Sequence, residues 1–416
     1  MPYPKMLRVR QHFDPIRVVD LAAAVHAELA RIRVGERIRP GQSVAITAGS
    51  RGVANIALII RSIVEVLHGL GAKPFIVPAM GSHGGGTAEG QRKIIESYGI
   101  TEEYTGAPIR ASMEVVTVGT TEDGIPIYFD RHAHGADHVA VVGRVKPHTG
   151  FVGEIESGLF KMMMIGLGKH TGAAIYHRAI VKHSFDRIVR TVGRVVLKQC
   201  RVAFGLGVVE NGYDETAKIE AVLPEEFEPR EKALLVLAKR LMPRLPVTRA
   251  DLLIVDEMGK NISGAGMDTN IIGRKRDTDS SDRPQITRVF VRGLTPETHG
   301  NAAGVGLADF TTARLVRSMD YRATVINCVT GAHPEAAVTP VYYETDREVI
   351  DAALSTVGLQ PPEHARIMRI KDTLHLREVL VSDTCRADLD GRIDLEISGS
   401  GDELGFDAAD NLLPFA

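Results

Sequence analysis

The chain has 416 residues, a formal net charge of −2, 25% charged residues and 44% apolar ones, an ordinary globular composition in a chain too long for one typical core. A balance this close to neutral excludes the basic character of a nucleic-acid binder, and no apolar run reaches the roughly 18 residues of a membrane span. The N-terminal "MPYPKMLRVRQ" lacks the apolar stretch of a signal peptide. We therefore expect a cytoplasmic protein that partners neither nucleic acid nor membrane. Cys200, Cys328 and Cys385 form no CxxC pair and read as buried thiols in a reducing compartment.

In chain order, "SVAITAGS" (43–50) is a short strand ending in small residues, and "NIALIIRSIVEVLHGLGA" (55–72) is a helix stopped by Gly71. "PFIVPAMGS" (74–82) is the next strand and closes a strand–helix–strand unit. A second helix covers 87–99, followed by strands at 113–119, 125–129 and 138–145. Three strand ends thus run into small, glycine-rich loops, at 48–53, 81–87 and 146–153. In α/β folds, ligands gather at the carboxyl ends of strands. A helix over 186–200 and a strand over 201–211 extend this domain, and a charged helix closed by prolines (225–248) ends it. The second domain opens with a strand at 251–260 and a glycine-rich polar loop at 261–284, whose run "DTDSSD" (277–282) reads as solvated or mobile. Strand 288–294, a helix over 301–319 and a strand over 323–331 then alternate. The expected architecture is α/β: two α/β domains, 1–247 and 248–416, with a ligand cleft between them.

Within the three loops, particular side chains carry chemistry. His83, in "GSHGGGT", is followed by three glycines that let backbone approach a ligand closely; a plain glycine-rich turn with an exposed histidine fits equally. The spacing is neither GxGxxG nor a Walker motif. His148, in "KPHTGF", follows another strand, and a neutral imidazole there acts as a proton acceptor or donor near neutral pH, or caps a carbonyl. Arg51, in "TAGSRGVAN", offers a planar fork to a carboxylate or phosphate, or pairs with a surface acid. Lys161 stands alone in the apolar "SGLFKMMMIGLG", so it either reaches solvent or is buried for covalent attachment or charge pairing. The methionines beside it are packing residues. His170, His177 and His183 lie on a helix or its approach and do not form HExxH. His132, His134 and His138 read as a surface loop.

Taken together, these residues resemble the nickel-pincer-nucleotide-dependent lactate racemase family. The likeness rests on an order across residues 45–180: an arginine loop, a Gly-x-His loop, a Pro-His loop, then a lysine and a further histidine. The gaps are 32 residues from Arg51 to His83, 65 from His83 to His148 and 16 from Lys161 to His177. Three motifs depart from the family pattern. "AGSRG" stands where the family carries an acid and Thr-Arg-Pro, Gly84 stands where an arginine follows the histidine, and "SGLFK" replaces Ser-Gly-Gly-Arg-Lys. The resemblance implies a racemase or epimerase of a 2-hydroxy acid. Its cofactor would be the nickel-pincer nucleotide, a pyridinium-thioamide-thiocarboxylate mononucleotide that takes the α-hydrogen as hydride. It further implies His83 and His148 as the proton-transfer pair and Lys161 as the cofactor attachment. Ser50, Gly84 and Gly153 would line the cofactor, with His177 as nickel ligand and His170 as runner-up. Arg51 would bind the substrate carboxylate, and cofactor-biosynthesis proteins become expected partners.

In the second domain, Lys260, Asn261, Asp268, Asn270 and Arg274 of the 256–274 loop are dense in hydrogen-bonding groups. They are expected to face the cleft and to suit an acid larger than lactate, for example a sugar acid, although an ordinary polar loop has the same composition. Two other functions fit the residues. One is a nucleotide- or phosphate-binding protein using 81–87 as an anion cradle. The other is a metal-dependent hydrolase using the 132–138 histidines.

Overall fold

The computed structural model describes residues 2–50, 52–275 and 284–415. Arg51 and the run 277–282 lie outside them. The chain divides into two compact units. One runs from Asp14 to Met242, and the other joins the residues before Asp14 to the chain from Pro243 onward. Strand β1 (Met6–Gln11) is thus a correction to the sequence-based division, which placed it in the first domain. Its partners come from the far end of the chain, with Leu7 opposite Val381 and Val9 opposite both Val379 and Ile397. Nothing local in six alternating residues announces pairings that distant.

The 14–242 unit holds β2 (Ser43–Ala48), β3 (Lys73–Pro78), β4 (Val115–Thr120), β5 (Pro126–Asp130), β6 (His138–Arg144), β7 (Val202–Glu210) and β8 (Thr216–Val222). Five of them form a sheet in the order β3-β2-β6-β7-β8, and β4 and β5 pair as a separate antiparallel ribbon. The first four strands of the sheet are parallel, and β8 runs antiparallel to β7. A parallel sheet must be covered on both faces, and the residues alternate accordingly. Val44, Ile46, Ile76, Ala140 and Val142 pack with the helix Ile56–Gly69, which turns Ile56, Ile59, Ile60, Ile63, Val64 and Leu67 inward along one stripe. Ala45, Phe75, Val77, Val139 and Val141 pack on the opposite side with the segment 159–167 and the helix Phe185–Gln199.

The strand order sets the position of any site. From β2 the chain crosses to β3 on one side, then returns to β6 on the other, so the connections diverge between β2 and β6. Backbone pairing of these two strands runs from Val44↔His138 to Ile46↔Ala140. One residue later the buried Thr47 hydroxyl takes over, accepting the Val142 N–H at 2.8 Å and donating to its carbonyl at 3.2 Å. At the carboxyl ends of β2 and β6 a side chain thus replaces backbone-to-backbone pairing. Such a divergence is where doubly wound sheets bind ligands.

The other unit is an eight-stranded sheet in the order β12-β11-β10-β9-β13-β14-β1-β15. Its strands are β9 (Arg249–Met258), β10 (Gln285–Leu294), β11 (Phe310–Thr312), β12 (Val341–Tyr343), β13 (Ile367–Ile370), β14 (Glu378–Ser382) and β15 (Leu395–Asp402), with β1 between β14 and β15. Arg369 binds Asp256 through two hydrogen bonds of 2.9 and 2.7 Å, and Arg292 bridges Asp256 and Asp346, tying β13, β9 and β10 together by buried charge. Two expectations fail here. The helix expected over 301–319 is a short turn, Val305–Leu307, then β11, then the helix Ala313–Ser318. The strand expected over 323–331 is the helix Tyr321–Thr330. Its β-branched residues suggested a strand, but Asp320 caps it through the Ala323 N–H, and Ile326 and Val329 stay exposed. Among the described residues, no helix is long and apolar enough to cross a membrane.

Leu7→Ala removes a fully buried side chain from β1 and should cost about 2–5 kcal/mol. Hydrogen exchange should then show lost protection at β14 and β15, with β2 and β6 unchanged. Loss confined to β2 and β6 would contradict the assignment of β1.

Candidate active site

Because β3, β2 and β6 are adjacent and parallel, the three loops noted in the sequence leave one edge of one sheet. The β3 loop is held from below. Gln91, fully buried, donates to the Met80 and Gly81 carbonyls at 2.9 and 3.0 Å. Gly81 lies against the helix Lys169–Lys182, where a Cβ would sit 3.0 Å from that of Ala173. His83 follows in extended backbone and leads into three glycines with φ of 65°, 66° and 65°. At Gly84 a Cβ would come within 2.4 Å of the Gly90 carbonyl carbon, so this glycine is required by close backbone packing.

The β6 loop folds around one carboxylate. Glu156, 1% exposed, accepts the His148 N–H at 2.7 Å and the Gly153 N–H at 3.4 Å, and pairs with Lys239 at 2.6 Å. The His148 ring stacks on Phe151 and Phe185 at centroid distances of 4.9 and 5.3 Å. Its Nδ1 accepts the backbone N–H groups of Gly150 and Phe151 at 2.9 and 3.3 Å. An acceptor at Nδ1 puts the proton of the neutral ring on Nε2. At Gly153 a Cβ would lie 2.9 Å from Asp186, so packing, too, favours glycine there.

The β2 loop is tied on both sides. Tyr98 donates its hydroxyl to the Ser50 carbonyl at 3.0 Å, and the Ala54 N–H reaches Glu210, which pairs with Arg144 at 2.5 Å. Lys161 closes the short helix Leu159–Lys161 and leads into a π-helical turn, Met162–Gly166, a rare element that is frequent at functional sites. Its Nζ donates to the Ser157 hydroxyl at 3.3 Å. Beside it, Met162 spans the gap between the diverging strands: a Cβ on Gly143 would lie 2.9 Å from its Cγ, and one on Gly49 3.5 Å from its methyl. The other two methionines, Met163 and Met164, are buried packing. His177 lies on the helix Lys169–Lys182, one turn beyond Ala173 and therefore on the face that meets the β3 loop. His170 is exposed, and His183 is the C-terminal cap of that helix.

The structure therefore gathers the segments bearing Ser50, His83, His148, Lys161 and His177 at one edge. The histidines at 132–138 are elsewhere: 131–135 is a short helix rather than a loop, and His138 starts β6 at the opposite edge and bonds Gln42 at 3.0 Å. Lys260, Asn261, Asp268 and Arg274 belong to the other unit. There Lys260 donates to the Gly264 carbonyl, Asn261 accepts the Thr295 hydroxyl, Asp268 caps the helix Thr269–Ile272, and Arg274 pairs with Asp309 at 2.6 Å.

Several buried charged residues give no sign in the sequence, among them Glu156, Lys169 and Glu231 beside these loops. Glu231 is fully buried. Its Oε2 accepts the Phe160 N–H at 3.0 Å, at the start of the Lys161 turn, while Oε1 has no hydrogen-bond partner among the described residues. Burial pushes its carboxyl up to about 8. The signal available was an ionisable residue at a core position of a periodic helix, which a charged sequence such as "PREKALLVLAKR" hides.

Residues 17–188 match the family model described as the lactate racemase N-terminal domain. No curated protein matches the chain. Among solved structures, the chain is similar to the lactate racemase apoprotein from Thermoanaerobacterium thermosaccharolyticum. The identity is 13% and the TM-score 0.52, over 86% of this chain and 92% of that one. At that identity the likeness is one of fold.

A pH dependence follows from Glu231. Its folded-state value lies above that of an unfolded glutamate, so its contribution to stability is complete in acid. That contribution declines as pH rises from about 4.5 to about 8. Glu231→Gln should remove the decline. Relative to wild type its melting temperature should rise across that window, with a slope of up to about 1.4 kcal/mol per pH unit. Parallel melting curves at pH 5 and pH 8 would contradict this.

Proposed function

We propose that the chain, whose residues 17–188 match the lactate racemase N-terminal domain, is a member of that family and racemises or epimerises a 2-hydroxy acid with a nickel-pincer nucleotide. The observation that carries the proposal is the convergence of the Ser50, His83, His148, Lys161 and His177 segments where β2 and β6 diverge. A metal whose other donors come with an organic ligand needs one imidazole from the protein, and in this reading His177, on the helix packed at Gly81, would offer it. Lys161 and its Ser157 partner would hold the nucleotide, with Ser50 and the glycine-bearing loops around it. When bound, the group supplies a hydride acceptor for the substrate α-carbon.

The rest of the chemistry falls to the chain. Arg51, on the β2 loop, would clamp the substrate carboxylate with its two parallel N–H groups. His148 presents Nε2–H and so meets the substrate hydroxyl as a donor. Protonating its other nitrogen would break the bonds from Gly150 and Phe151. His83 is then the first acceptor of the hydroxyl proton at an imidazole nitrogen, and the proton returns from it once the α-hydrogen is restored. The apolar rings of Phe151 and Phe185 pack against the His148 ring and hold its orientation. The substrate range to be tested runs from lactate to larger 2-hydroxy acids such as sugar acids.

Cofactor-loaded protein, offered single enantiomers from lactate to sugar acids in D₂O, should erode the optical purity of at least one acid with its α-hydrogen retained. Nickel-loaded protein that isomerises none of them would overturn the proposal. His83→Ala should lower kcat about 100-fold or more, and His148→Gln, which keeps a donor, should lose less. His177→Ala should lose bound nickel at an unchanged melting temperature; unchanged nickel would remove His177 as ligand.

A further inference from the structure

Lys169 has no exposed surface, yet it carries an ammonium group. Its Nζ donates to the Pro78 carbonyl, at the end of β3, and lies 3.2 Å from Gln91 Oε1 and 3.1 Å from Asp130 Oδ2. Gln91 and Asp130 are also fully buried. Gln91 passes the contact on to the Met80 and Gly81 carbonyls, just before His83. Asp130 ends β5 and caps the next turn through the Ala133 N–H at 2.9 Å. Lys169 is also the first residue of the helix that carries His177, and its φ of 55° is left-handed, a strain of about 1–3 kcal/mol for a residue with a side chain. That helix is fixed again by the Tyr176 hydroxyl, which accepts the Tyr128 N–H of β5 at 3.1 Å.

Such a cluster is not explained by stability. Burying an ammonium and a carboxylate costs desolvation that their attraction barely offsets, and a well-packed apolar pair of similar volume is often as stable. Its distinctive consequence is geometric. The three oxygens around Nζ belong to β3, to the helix Ala88–Ser97 that cradles the β3 loop, and to β5, while the lysine itself begins the His177 helix.

We propose that Lys169 is a positioning residue: through Pro78, Gln91 and Asp130 it sets the placement of the His83 loop against the His177 helix. The inference rests on the racemase proposal for the meaning of that placement, but its physical content holds for the protein without cofactor. A reacting group misplaced by about 1 Å can cost ~100-fold in rate, so one lysine remote from the chemistry can govern turnover.

The test uses histidine Cε1–H NMR signals of the cofactor-free full chain, with His83, His148 and His177 assigned from single alanine variants. Lys169→Met removes the ammonium and keeps the length. It should stay folded and shift the His83 and His177 signals while leaving His148, on its own Glu156 anchor, in place. Gln91→Met removes the links to Met80 and Gly81 and one of the three oxygens around Nζ, but leaves Lys169 on Pro78 and Asp130, so it should move His83 and leave His177. After cofactor loading, Lys169→Met should lower kcat about 100-fold with a much smaller change in KM. A folded Lys169→Met with all three signals unmoved would overturn the inference. If it does not fold, Gln91→Met decides: a His83 shift alone supports positioning, and no shift overturns it. Unfolding of both variants would also overturn it, by making the cluster a requirement of the fold. Shifted signals alongside a wild-type protein that racemises nothing would instead fault the proposed function and leave the positioning role standing.

Discussion

Parallel strands are joined only by crossovers, and the side on which each crossover lands decides where a sheet opens. Here β2 has β3 on one side and β6 on the other, and the chain leaves β2 for β3 and β6 for β7, so the connections diverge between β2 and β6 at their carboxyl ends. Thr47 marks the gap. Its hydroxyl satisfies both backbone groups of Val142 just beyond the last β2–β6 pair, Ile46↔Ala140. The same two backbone groups, paired strand to strand, would continue the ladder and close the edge. The glycines at 49 and 143 leave room there, and the side chain of Met162 occupies it.

The loops around that gap are anchored by buried charge as well as by apolar packing. Glu156 organises the His148 loop, Glu231 sits beneath the Lys161 turn, and Lys169 spans the His83 loop and the His177 helix. Each anchor carries a desolvation cost that a hydrophobic residue would avoid. What charge provides is direction: an oxygen or an ammonium accepts only a few partners at defined distances, and glycine-rich backbone has no side chains of its own to pack. Loops free of side-chain bulk near a ligand therefore depend on polar groups reaching in from the layer below.

The first sheet was largely legible in the sequence because its signals are local. Alternating apolar strands, the amphipathic helix at 56–69 and glycine-rich strand ends each declare themselves within a few residues. The histidines and lysine at those ends could be picked out because polar residues in apolar or glycine-rich surroundings stand out. Long-range pairing could not be read, so β1 was placed in the wrong unit. The helix Tyr321–Thr330 was missed because β-branched residues outweighed the single Asp320 cap. Lys161 stands out in the sequence as a lone lysine in an apolar run, whereas Lys169, among glycines in "GLGKHTG", does not. Only the fold shows that Lys169 is the one fully enclosed.

The central proposal is that the divergence between β2 and β6 is where a nickel-pincer nucleotide would bind. Methyl NMR of the 12 methionines, recorded while the nickel-pincer nucleotide is added to the cofactor-free chain, tests this directly. Met162 spans that gap, so its methyl should show the largest change, with Met258 and Met368 of the other unit little affected. A largest response at Met258 or Met368, with Met162 still, would place the cofactor elsewhere and contradict the account.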